Sequence, residues 1–204
     1  MPLGRKLCES LHLIALGLWL GVLVMAGAVA AQVFPVVKAL DPLLPEFAAY
    51  TGEHWLIAAG HIGEFTFLTA DFIQFGCIVL AVLTLVASIM AFGLPLARLT
   101  TLVRAGVVGI GLAIVAYQIF ILAPEMNQNL RQYWTAARQG DLELATRFRD
   151  AFLARHPESR NVLAACTLCA ASGIVAAVWS ITAPSGIAQQ SSPYATPALK
   201  KGLA

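Results

Sequence analysis

The stretch running from His61 through Glu64 to Asp71, HIGEFTFLTAD, places one imidazole and two carboxylates at the head of a long apolar run. At about 100° per residue, His54, His61, Glu64 and Asp71 fall within one arc of roughly 100°, a single helix face. Imidazole nitrogen and carboxylate oxygen are ligands for divalent transition metals. His61-x-x-Glu64 sets the two on adjacent turns, close enough to share one ion. The order is the reverse of the Glu-x-x-His pair used in di-iron carboxylate bundles, and no second copy is present, which argues against a dinuclear centre. Other candidates stand at the ends of later apolar runs: Glu125, His156 and Arg160. The expected site is therefore His61, Glu64 and His156 around a transition metal or haem. Asp71 and Glu125 would carry protons or support the ligands. A competing reading is a hydrated helix end, with Glu64 paired to Arg160 and Asp71 bonded by Tyr117 or Gln118.

Other reactive side chains point to less. His12 lies at the opposite end of its helix from the level of His61, so the two cannot hold one haem if their helices run antiparallel. Cys166 and Cys169 form a C-x-x-C inside an apolar run, where cysteine behaves as a small hydrophobe. There is no glycine-rich phosphate loop, no H-E-x-x-H and no nucleophile elbow. Ser159 near His156 does not make a triad, because a hydrolase needs a nucleophile held against a base. The residues read as those of a protein that is not an enzyme.

The elements that position these groups follow from composition. The chain has 204 residues, is 59% hydrophobic and 12% charged, and has a mean hydropathy of +0.77. A soluble domain carries about a quarter charged residues, so this chain belongs to the membrane class. A net charge of +2 without a basic stripe excludes a nucleic-acid partner. Charges are absent from residues 10–37, 72–97, 105–124 and 161–199. A membrane helix needs about 20 apolar residues, and a helix pairs its own backbone in lipid. Four transmembrane helices are predicted, over roughly 11–35, 66–92, 103–124 and 160–183, within a domain spanning 1–183. The fold class is all-α, an integral membrane four-helix bundle. The first helix, preceded by Arg5 and Lys6, resembles a signal peptide, but its apolar run is longer than a signal core.

Positive charge marks the cytoplasmic side. Arg5, Lys6, Arg98, Arg104, Lys200 and Lys201 put both termini there, in a membrane read as the bacterial inner membrane. The third connection opposes this with arginines at 131, 138, 147, 149, 155 and 160. That connection is patterned. Leu130, Tyr133, Trp134 and Ala137 share one helical face, and Leu144, Phe148 and Phe152 share another. Gly140-Asp141 reads as a stop and a new cap, and His156-Pro157 as the next break. An extramembrane helical hairpin over 125–156 is expected, whose apolar face needs a partner. The tail, 184–204, is rich in proline, serine and alanine and is expected to be flexible.

Two segments resemble a known family. LHLIALGLWLGVLVMAGAVAAQVFP, residues 11–35, resembles the first helix of the domain of unknown function 4149 family, the transmembrane protein 205-like proteins. GDLELATRFRDAFLARHPESRNVL, residues 140–163, resembles that family's entry to its last helix, with Phe152, His156 and Ser159 at the matching positions. The resemblance spans residues 8–182 and implies a small polytopic membrane protein with no assigned chemistry. A narrower likeness, to copper-resistance membrane proteins, rests on Leu18-Trp19-Leu20-Gly21. Taken together, the expected function is that of an accessory or structural subunit of a larger membrane assembly. Its partners would be the lipid bilayer and other membrane subunits or a second copy. The alternative is a small membrane protein whose outer His and carboxylate groups bind a metal or haem, or carry protons.

Overall fold

Long uncharged apolar runs become long helices, because a helix is the local structure that pairs every backbone N–H and C=O without outside help. A computed structural model describes residues 3–182, so the tail over 184–204 lies outside the described residues. Helix α1 spans Leu3–Leu40, α2 His54–Met90, α3 Leu99–Tyr117, α4 Ala123–Arg138 and α5 Leu142–Thr182. A 3₁₀ turn, Pro45–Phe47, lies between α1 and α2. A π-helical turn, Gln118–Leu122, joins α3 to α4 without a break. Leu99–Arg138 thus forms one helix, and it, α1, α2 and α5 are each long and apolar enough to cross a membrane. No strand occurs among the described residues.

The helices outrun the predicted limits because their prolines do not stop them. Pro35 lies inside α1, which continues to Leu40. Pro157 lies inside α5, so the expected break at His156-Pro157 is absent and the last helix begins at Leu142 rather than near 160. An interior proline removes one hydrogen bond and crowds the carbonyl four residues back. At Pro157 the flanking side chains are tied down. Arg155 binds Glu125 at 2.8 Å and Glu158 at 2.9 Å, and Tyr117 donates to Glu158. Pro124 is accommodated differently. It lies just beyond the widened turn whose Ala123 N–H donates to the Gln118 carbonyl, five residues back instead of four.

Packing is pairwise. α1 lies along α2, α4 folds back on α5, and α3 and α1 both pack on α5. The chain reverses between α4 and α5 at Gly140, whose φ of +76° suits glycine. Asp141 then caps α5, its Oδ1 accepting the Leu144 N–H at 2.9 Å.

Two cores result. One fills the bundle with Leu16, Trp19, Leu23, Ile78, Ala81, Val108, Val115, Cys166 and Ala170. The other joins the α1–α2 connection to the α4–α5 hairpin through Phe47, Tyr50, Ile57, Leu130, Tyr133 and Trp134. The end of the molecule holding this second core is called the tip here, and the end holding residues 3–9 and 91–99 the base.

Trp19 sets the spacing of α1 and α3. A Cβ added at Gly111 would lie 2.6 Å from Trp19 Cη2. Gly111→Ala is therefore expected to cost about 1–3 kcal/mol by overpacking, read as an earlier midpoint in mixed-micelle unfolding. An unchanged midpoint would show that the indole can move aside.

Candidate functional site

The two helical pairs do not close on each other between the cores. A cavity of about 440 Å³ lies there, walled by α1, α2, the π turn with α4, and α5. Small residues make the room. Gly27, Ala30 and Ala31 line it from α1, and Gly60 and Gly63 from α2. Aromatic and aliphatic side chains, among them Phe34, Phe67, Met126, Leu130 and Phe152, complete walls that are mostly apolar.

Polar groups are placed at levels along this space. Toward the tip stand Tyr133 and Arg149, and in the middle Glu64, Asn127, His156 and Arg160. At the deep end Asp71, Gln118 and Ser159 also border an adjoining cavity of about 20 Å³, the size of one water site. Asp71 accepts from Gln74 Nε2 at 2.6 Å, and Gln74 Oε1 receives the Trp19 indole N–H at 3.4 Å. The π turn begins at Gln118, and such turns frequently mark functional positions.

The predicted site residues separate here. Glu64 and His156 face the common cavity, together with Asp71. His61 does not line it. Its ring stacks on Trp134, centroids 3.7 Å apart. Glu64 pairs with Arg131 at 3.1 Å, not with Arg160. Glu125 is held by Arg155, and Tyr117 goes to Glu158 rather than to Asp71. Among the described residues no three His, Cys, Asp or Glu side chains gather to hold a metal ion. Of the expected His61, Glu64 and His156, the last two share the cavity and His61 stands outside its lining. The stack engages the face of the His61 ring, and the Glu64 carboxylate is held by Arg131. The His54 ring nitrogens are likewise engaged, by the Leu44 N–H at 3.0 Å and the Tyr50 carbonyl at 2.9 Å.

The base holds a polar cluster that the sequence reading passed over. Arg104 and His12 are both 0% exposed, and Glu9 is 4% exposed. Arg104 Nη2 lies 2.7 Å from Glu9 Oε2. Arg104 Nε donates to His12 Nε2 at 3.1 Å, and His12 Nδ1 lies 3.0 Å from the Ala81 carbonyl and 2.9 Å from Thr84 Oγ1. A guanidinium N–H can only donate, so Nε2 must be the acceptor and the proton sits on Nδ1. The cluster fixes His12 as the neutral Nδ1–H tautomer and ties α1, α2 and α3 together. Cys8 extends it, donating to the Thr84 carbonyl at 3.1 Å. Arg104 is thus not a loop charge, and it drops out of the count of positive residues that orients the chain. Glu9-x-x-His12 inside an apolar helix was the available signal, with Arg104 as the one opposite charge inside the apolar face of another helix.

No family model, no curated protein and no solved structure matches this chain.

Proposed function

We propose that this protein is a non-enzymatic integral membrane protein that holds one amphipathic, lipid-like molecule between its two helical pairs. The observation that carries this is the cavity itself, about 440 Å³ with mostly apolar walls and a few convergent polar groups. Ligand sites have that size and chemistry. In this reading both termini are cytoplasmic, the membrane is a bacterial inner membrane, and the hairpin over 125–156 stands outside the bilayer. Exposure supports the hairpin's placement. Between Ile121 and Leu168 the large apolar side chains that are exposed are Leu142 and Leu153. By contrast, Leu99, Leu102, Val103, Ile110, Phe120 and Ile121 are exposed along the helix leading to the hairpin.

Gly63 gives the test. It lines the cavity, and a Cβ there would meet nothing within 4 Å. Gly63→Leu should fill the space while keeping the fold. Wild-type protein purified in maltoside should retain about one lipid-like molecule per chain by native mass spectrometry, and the variant about tenfold less. Equal retention in both would reject the reading.

A second reading, an accessory subunit, is favoured by one surface. Leu3, Leu7, Leu11, Ile14, Leu18, Met25, Val36 and Leu40 are exposed along α1. At a 1.5 Å rise this stripe is about 55 Å long, against a hydrocarbon thickness of about 30 Å. From Leu7 to Leu18 the spacing follows alternating steps of four and three, as in a helix–helix seam. Gentle solubilisation should then yield a particle heavier than one 21.7 kDa chain. A lone chain would count against the subunit reading and leave the cavity reading intact.

A further inference from the structure

The floor of the cavity holds a carboxylate beside an amide and a hydroxyl. Asp71 is half-buried there and takes a hydrogen bond from Gln74. It has no ion-pair partner among the described residues. Gln74 Oε1 in turn receives the Trp19 indole N–H. Gln118 borders the same space, and its Oε1 is buried with no donor. The cations on the walls lie elsewhere. Arg149, toward the tip, is bonded to Asp150, and Arg160, at the middle level, forms no ion pair with Asp71.

A carboxylate with no cation beside it and an amide oxygen with no donor, deep in an apolar site, are costly alone. A ligand that brings both N–H donors and positive charge offsets that cost. An anionic head at this depth would meet the charge of Asp71 instead. Resting on the cavity reading above, we infer that the floor formed by Asp71, Gln118 and Ser159 takes the ammonium head of a lipophilic amine. The amine's apolar chain rises along Gly27, Ala31 and Phe34.

The test offers four heads to the protein in maltoside micelles, with native mass spectrometry as the readout. The probes are dodecylamine, dodecanol, dodecanoate and lysophosphatidylethanolamine. Alkylamines, like lysine with its pKa of about 10.4, are charged at neutral pH. Dodecylamine should occupy the wild-type protein at least tenfold more than dodecanol or dodecanoate. Binding of the lyso-lipid at the same strength would place the source of the amine in the bilayer, and binding of dodecylamine alone would point to a free amine. Asp71→Asn should lose the preference for the amine while still binding dodecanol. Gln118→Leu, which leaves the carboxylate in place, should lose a few-fold. Amine binding that is unchanged in Asp71→Asn, or a preference for dodecanoate, overturns the inference and leaves the cavity standing. No probe binding, with Gly63→Leu indistinguishable from wild type, overturns the cavity reading as well.

Discussion

Arg104→Ala is expected to destabilise the bundle by about 3–5 kcal/mol, the range for removing one partner of a buried ion pair. The substitution leaves Glu9, 4% exposed, without its partner at 2.7 Å, and leaves His12 Nε2 without its donor. Both losses fall at the junction of α1, α2 and α3. Unfolding in mixed micelles, followed by circular dichroism, should therefore begin at a lower denaturant fraction. Arg104→Lys should recover only part of the loss. An ammonium can approach Glu9, but it lacks the planar guanidinium whose Nη2 lies 2.7 Å from the carboxylate while its Nε donates to the imidazole. The double variant Glu9→Gln, Arg104→Met should be markedly more stable than Arg104→Ala, because replacing a whole buried pair is often near neutral. If the double variant is no better than the single one, the cluster is not acting through buried charge, and the volume of Arg104 matters instead.

The cluster also shows where sequence reading reaches its limit. Helix type and number were legible because lipid-scale apolar runs have few alternatives. The face of Leu130, Tyr133, Trp134 and Ala137 was legible because the 3.6 period says which residues share a side, and all of these are buried. The helix ends were harder to read. Pro35 and Pro157 carry stop signals, yet both lie inside helices, Pro157 beside Arg155 and Glu158, which pair with each other. Pairing was the least legible. His12 and Arg104 are ninety-two residues apart, and nothing local marks them as partners. In the same way, Glu64 and His156 face one cavity, but Arg131 takes the Glu64 carboxylate and Trp134 holds the His61 ring outside the lining. A helical face predicts which side chains look the same way. It does not predict which helix supplies the partner.

Trp134→Ala is expected to cost about 3–5 kcal/mol, the range for truncating a large buried aromatic, and its effect should be confined to the tip. Trp134 is 6% exposed, stacks on His61, and lies against Gly60, where an added Cβ would come within 3.4 Å of its ring. With Leu130 and Tyr133 it belongs to the core that joins the α4–α5 hairpin to the α1–α2 connection. The Tyr50 and Tyr133 hydroxyls, 3.4 Å apart, and the close approach of Gly140 to Ala49 belong to the same joint. The bundle core around Trp19, Ile78 and Val115 is a separate cluster, so loosening the tip should leave it protected. Hydrogen–deuterium exchange should therefore rise over residues 44–60 and 126–152 and stay unchanged over 77–85 and 108–115. Leu130 and Tyr133 also wall the cavity, so retention of the lipid-like molecule should fall together with tip protection. Trp134→Phe, which keeps an aromatic ring against His61, should recover part of both. Uniform exchange across the whole chain would mean that the two cores unfold as one unit, and that the cavity between them is not held open by independently stable ends.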